Sequence, residues 1–248
     1  LPSPEAAPAT TTDLLLGGRV RLTQPAQGYR AAIDPVLLAA SIPAAANETV
    51  LEGGLGAGAA ALCLLARVPG ARLTGVEIDP VMARLAATNA AANQAALEVV
   101  TGDLLGFRQG RFDHAMANPP FQEAGSGSKS PLPARRRADR EAAPGALAAW
   151  VAALSRRVAA RGTLTLVLPA ARLSEATAAM REAGLGAVTL LPVWPRAGEP
   201  AKRMLLQGVK TARGPDRVLP GLVLHQPDGA YTQAAMAVLR DGAALRLG

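Results

Sequence analysis

Asn118-Pro119-Pro120-Phe121 combines residue types that can hold a planar amine. Asn118 adds a side-chain carbonyl, the prolines leave rigid backbone carbonyls with no N–H donors of their own, and Phe121 offers a flat apolar face. A second cluster, Glu52-Gly53-Gly54-Leu55-Gly56-Ala57-Gly58, joins a carboxylate to a glycine-rich turn. Glycines at 54, 56 and 58 permit a tight turn, bring a ligand against bare backbone and let the following helix pack closely on its strand. Glu77 lies about 20 residues beyond that turn, where a carboxylate can accept two ribose hydroxyls. Asp103 is a third acid in a comparable place, after Leu97-Glu98-Val99-Val100. The chemistry these residues predict is a nucleotide-type cofactor held beside an acceptor site for an amine.

Such groups converge only if the chain brings several strand ends together. From Thr49 the pattern alternates strand, glycine turn, helix and strand, which builds a parallel sheet. Strands are predicted at Thr49–Leu51, Leu73–Ile78, Leu97–Val100, Phe112–Ala117 and Gly162–Leu168. Helices are predicted from the glycine turn to near Arg67, from Pro80 to about Asn93, and over Ala146–Ala160, the last carrying Trp150. Asp79 is an alternative acid that can instead cap the helix beginning at Pro80. Ser174 is expected to cap a helix reaching Ala183, and Val188–Val193 with Met204–Val209 reads as an antiparallel closing pair. The tail, from Gly221 through Tyr231 to Leu239, reads as strand, turn and helix. In an open α/β sheet ligands bind outside the carboxyl ends of the strands, so Glu52, Glu77, Asp103 and Asn118 belong to one pocket.

The length suits one main domain, taken as 13–248, with a hairpin and helix extension over 13–47. Residues 1–12 hold three prolines and little that could be buried, and are expected to be disordered. In the extension, Asp34 precedes Pro35 and reads as an N-cap, with a cofactor contact as the alternative.

A net charge of +7 favours an anionic partner, nucleic acid before a membrane surface. The segment Gln122–Pro144 reads as a mobile basic loop carrying Lys129 and Arg135-Arg136-Arg137. Arg196, Lys202 and Arg203 form a second basic group readable as RNA contacts, with an edge-strand guard as the alternative for Lys202 and Arg203. One cysteine, Cys63, and two histidines, His114 and His225, leave no material for a disulfide framework, a metal cluster or a histidine-based triad. No apolar run is long enough to span a bilayer, and a cytoplasmic location is the expectation.

The glycine turn alone also fits a dinucleotide fingerprint. A dinucleotide would place its pyrophosphate over the helix N-terminus, where Glu52 would repel it. A cationic ligand with an amino group and a sulfonium is favoured by the same carboxylate, which points to S-adenosylmethionine.

With Glu52-x-Gly54-x-Gly56-x-Gly58, Glu77, Asp103 and Asn-Pro-Pro-Phe together, the chain resembles the class I S-adenosylmethionine-dependent methyltransferases, and more narrowly the bacterial tRNA1(Val) adenine-N6-methyltransferase family. The likeness covers about residues 14–248. It implies a Rossmann-like fold with a mainly parallel seven-stranded sheet, helices on both faces and an antiparallel closing strand. It further implies that Glu52 and the glycines hold the methionine part, Glu77 the ribose and Asp103 the adenine amine. Asn118 to Phe121 would hold the target amine, with Asn118 also facing the cofactor, and tRNA would be the partner. Protein glutamine methyltransferases and rRNA guanine methyltransferases carry a similar clamp and are the alternatives within the class, and an RNA-binding protein of this fold with a degraded cofactor loop is the alternative outside it. Two residues depart from the pattern. Gly53 is expected to weaken its strand by roughly 1 kcal/mol against Ala, and Leu55 to crowd the cofactor.

Overall fold

The protein is described by a computed structural model covering residues 9–27, 30–120 and 145–248. The predicted site residues Phe121, Lys129, Arg135, Arg136 and Arg137 lie outside the described residues.

The chain opens with an antiparallel hairpin, β1 (Thr10–Leu15) and β2 (Val20–Pro25), followed by α1 (Asp34–Ser41). The hairpin corrects the expectation for residues 10–12: three β-branched threonines pair with Pro25, Gln24 and Thr23. The alternating units follow: β3 (Thr49–Gly53), α2 (Ala59–Arg67), β4 (Arg72–Glu77), α3 (Pro80–Ala92), β5 (Leu97–Thr101) and β6 (Phe112–Ala117). Then come α4 (Ala146–Ser155), β7 (Val158–Pro169), α5 (Leu173–Glu182), β8 (Leu185–Arg196) and β9 (Arg203–Lys210). Short strands β10 (Arg217–Val218) and β11 (Leu222–His225) and helix α6 (Gln233–Leu239) end the chain.

The main sheet runs β10-β8-β9-β7-β6-β3-β4-β5, with β11 also on β8. Only β9 is antiparallel to its neighbours, as the closing strand was expected to be. Among the described residues the sheet has nine strands rather than seven, because β10 and β11 extend the β8 edge. They form one edge line broken at Pro220-Gly221. Proline offers no N–H to β8, and Gly221, at φ +90°, lies so close to β8 that an added Cβ would stand 2.4 Å from the Pro192 carbonyl oxygen.

Two apolar clusters cover the two faces of the sheet. Successive residues of β3 serve opposite faces: Val50 packs with α1 and α2, and Leu51 with α4. Gly53 follows Leu51 on the α4 face. An added Cβ there would come within 2.7 Å of Leu104 and 3.2 Å of Leu154, so the glycine admits two leucines instead of leaving a weak point. Leu55 lines the cleft described below. Its side chain is buried over Gly75 in β4, where an added Cβ would lie 2.5 Å from the Leu55 Cδ1. Both departures are thus complemented by residues of other segments.

Two expected caps are also corrected. Asp34 is the first residue of α1 and makes no cap; its Oδ2 accepts from the Arg203 Nε at 3.1 Å. Ser174 lies inside α5, whose N-cap is Arg172. Asp79 does cap α3, accepting from the Val81 and Met82 amides.

Candidate active site

Strand register brings the candidate residues to one level. Gly53 is paired with Val76 on one side and Ala117 on the other, so Gly54, Glu77 and Asn118 leave the sheet together at its carboxyl edge. Between them lies a cleft of ≈ 70 Å³ lined by Pro35, Glu52, Gly54, Gly56, Met82 and Asn118, among others.

Glu52, the penultimate residue of β3, lines this cleft and is 3% exposed. Its carboxyl receives the Ala61 N–H, yet Oε2 has no hydrogen-bond partner. Burial pushes its pKa well above the ordinary carboxyl value, and nearby Glu77 adds to the rise. A buried carboxyl oxygen without a donor is costly to leave so. A ligand that brings N–H donors and positive charge satisfies it, whereas a pyrophosphate does not.

The glycine turn has the backbone that its sequence requires: Gly54, Gly56 and Gly58 have φ of 71°, 58° and 89°. Gly54 has a second reason to lack a side chain, since an added Cβ would stand 2.7 Å from the Trp150 ring of α4. Glu77 holds the turn directly. Its Oε2 accepts from the Gly56 N–H and its Oε1 from the Asp79 N–H, both at 2.8 Å. Asp103 lies beyond β5, is exposed, and accepts from the Leu105 N–H at 2.9 Å, capping a short turn over Leu104–Gly106. Ile78 and Leu105, immediately after Glu77 and near Asp103, are exposed aliphatic residues at the same edge, 43% and 39% accessible.

On the acceptor side, Asn118 is half-buried, Pro119 buried and Pro120 exposed. The structure therefore brings Glu52, the glycines, Glu77 and Asn118 together, with Asp103 at the rim. Arg196, Lys202 and Arg203 stand at the same edge, because β9 enters the sheet where β7 leaves it: Arg203 is paired with Pro169. Arg196 pairs with Glu199 in the β8–β9 turn, Arg203 with Asp34, and Lys202 is exposed. The edge-guard reading of Lys202 and Arg203 does not hold, since β9 lies between β7 and β8.

Sequence reasoning missed Gln24, Pro35, Met82 and Trp150. Gln24 had a signal: the alternation Val20-x-Leu22-x-Gln24 places it on the buried face of β2. It is 3% exposed, lines the cleft, and is held by the Ala31 N–H and by Asp13, which also pairs with Arg30. His114, by contrast, sits at the amino end of β6, hydrogen-bonded to Thr163 and Glu48. Cys63 is buried in α2, and burial pushes its thiol up to about 12, so it is no nucleophile. Among the described residues no group of His, Cys, Asp and Glu could hold a metal, and no helix is long and apolar enough to cross a membrane.

Comparison with known proteins gives a consistent result. Residues 31–132 match the methyltransferase small domain family. The tRNA1(Val) (adenine(37)-N6)-methyltransferase of Aeromonas hydrophila is 33% identical over 205 residues, covering 80% of this chain and 84% of the relative. The protein of the same name from Porphyromonas gingivalis W83 is 31% identical over 247 residues, covering 89% and 91%. Among solved structures, a predicted O-methyltransferase from Agrobacterium tumefaciens superposes with a TM-score of 0.71 at 24% identity, covering 86% of this chain and 98% of the other. A T. thermophilus 16S rRNA N2 methyltransferase, in complex with AdoMet and guanosine, superposes with a TM-score of 0.56 at 22% identity, covering 82% of this chain and 50% of the other.

Proposed function

Because the chain belongs to the tRNA1(Val) (adenine(37)-N6)-methyltransferase family, we propose that it uses S-adenosylmethionine to methylate the exocyclic N6 amine of an adenine in tRNA. The observation that carries this reading is that one cleft is lined both by Glu52, with its unpartnered buried carboxyl oxygen, and by Asn118, the first residue of the Asn-Pro-Pro sequence. When bound, S-adenosylmethionine supplies a methyl group on positively charged sulfur. Glu52 receives the ligand's amino group, Glu77 the ribose hydroxyls and Asp103 the adenine amine, with Ile78 and Leu105 as apolar flanks at the rim.

An adenine N6 is a poor nucleophile because its lone pair is delocalised into the ring. Asn118 Oδ1 and the Pro119 carbonyl accept its two hydrogens, which favours a pyramidal nitrogen and turns the lone pair toward the methyl donor. Phe121, next in the sequence, supplies a face on which the base stacks. The proton leaves after the nitrogen has gained the methyl group and become cationic, so no strong base is needed at the start. Orientation and placed dipoles provide the acceleration. Lys129, Arg135, Arg136 and Arg137, with Arg196, Lys202 and Arg203, carry the positive charge offered to RNA phosphates.

The test is nucleoside mass spectrometry of tRNA from a strain lacking this protein. N6-methyladenosine should fall at one tRNA position and return on re-expression. An unchanged tRNA profile, with a methylated glutamine lost from a protein digest or a methylated guanine lost from rRNA of the same strain, would identify the protein or rRNA alternative.

A further inference from the structure

The cleft has a wall that its own strands do not make. Gln24 of β2 and Ala57 of the glycine turn both line it, and they belong to segments far apart in the chain. One side chain joins them. Asn89 of α3 is 1% exposed. Its Oδ1 accepts from the Thr23 N–H at 2.9 Å, and its Nδ2 donates to the Thr23 carbonyl at 2.8 Å and to the Ala57 carbonyl at 2.9 Å. We propose that Asn89 is the positioning residue that fixes the spacing between the hairpin wall and the glycine-turn wall of the cofactor cleft.

The paired bonds to Thr23 copy those that a neighbouring strand would make, so a helix side chain stands in for a strand along β2. Asn93, one turn later, repeats the device. Its Oδ1 accepts from the Arg21 N–H at 2.9 Å and its Nδ2 donates to the Arg21 carbonyl at 2.7 Å. The spacings agree, because four helical residues rise about 6 Å and two strand residues about 6.6 Å. Thr23 and Arg21 are the successive residues of β2 that face the helix this way. Asn93 therefore docks the hairpin just as Asn89 does, but its second donation goes to the Asn89 carbonyl and not to the glycine turn.

Of these two asparagines, Asn89 is the one that reaches both walls. A primary amide has two donors and two acceptor lone pairs, and Asn89 uses three of these four in a planar group buried on all sides. Displacing the Ala57 carbonyl thus displaces Thr23, and with it the adjacent Gln24. The helix that follows the turn also lacks a side-chain cap at this point. Gly58, the N-cap of α2, has no side chain with which to cap the helix. Asn89 holds the carbonyl immediately before it.

This inference rests on the cofactor reading above, and the experiment separates the two. Asn89→Asp keeps an oxygen for the Thr23 N–H and loses both donations; Asn93→Asp does the same for Arg21. Both variants should melt earlier than the parent protein. In calorimetry with S-adenosylmethionine, Asn89→Asp should bind at least tenfold more weakly, with Asn93→Asp within twofold of the parent. Methyl-transfer kcat at saturating cofactor should stay within about threefold for both, with the loss confined to the cofactor KM. Equal affinity in Asn89→Asp and the parent, or equal losses in the two variants, would overturn the assignment. Failure of the parent protein to bind S-adenosylmethionine would overturn the cofactor reading itself. Hydrogen exchange on the parent protein provides the same test if Asn89→Asp does not fold. Cofactor should slow exchange at residues 20–25 as well as 54–58, and protection confined to 54–58 would overturn the coupling.

Discussion

The β3–β4 side of the cleft presents its polar groups as carboxyls, whereas the β6 side presents neutral carbonyl oxygens. Glu52 and Glu77 are both 3% exposed, and Glu77 already holds two backbone amides. Asn118, Pro119 and Pro120 carry no formal charge. The difference matches two different guests. A permanently cationic donor would be favoured by carboxylates placed where an anionic cofactor would be repelled, while a neutral amine would need only oriented acceptors. The carboxyl side should therefore respond to pH and control binding, and the carbonyl side should control rate.

The largest effect is expected from Asn118→Ala. Losing one placed dipole should lower kcat by about a hundredfold or more, with cofactor affinity unchanged in calorimetry. A variant with parental turnover would break the division between the two sides. Glu77→Ala should weaken S-adenosylmethionine binding by about 1.5–3 kcal/mol, as expected for a lost charge-assisted hydrogen bond. It should also lower the melting temperature, because the Gly56 and Asp79 amides lose their acceptor. Gly53→Ala probes the floor between the two sides. The added methyl meets Leu104 and Leu154, and overpacking of this kind costs about 1–3 kcal/mol, read as a lower denaturation midpoint. A more stable Gly53→Ala protein would show that the glycine is a weak point of β3.

The smallest effect is the pH dependence from Glu52. Its folded pKa is raised above the ordinary value of 4.5, chiefly by burial. The folded state consequently holds this proton more tightly than the unfolded state. The stability due to it is complete below about pH 4.5 and is lost as pH rises through the folded pKa, by at most about 1.4 kcal/mol per pH unit. Glu52→Gln should flatten that decline in thermal melts of the free protein. Bound S-adenosylmethionine should flatten it also, since a cationic donor favours the ionised carboxylate.

Much of this arrangement was legible because it depends on local pattern. The glycine turn, the acids after apolar runs and the Asn-Pro-Pro sequence each announce a strand end, and parallel strand register then brings those ends to one level. What was not legible depends on distant partners. Asp34 reads as a cap, but Arg203, 169 residues away, takes its carboxylate. The sequence singles out neither Asn89 nor Asn93, because nothing near them reveals that β2 will lie alongside. Thr10–Thr12 reads as a disordered tail until Thr23 to Pro25 are seen to pair with it. Gly53 and Leu55 look like defects in the sequence, because the leucines and the glycine that complement them come from other segments.

The most direct test of the two-sided cleft is a single in vitro methylation. Purified protein is incubated with unmodified tRNA and methyl-labelled S-adenosylmethionine, and the digested nucleosides are read by mass spectrometry. The label should appear on adenine as N6-methyladenosine and should be lost with Asn118→Ala. Label on guanine, or no label on RNA from a protein that binds S-adenosylmethionine, would contradict the assignment of the acceptor side to adenine.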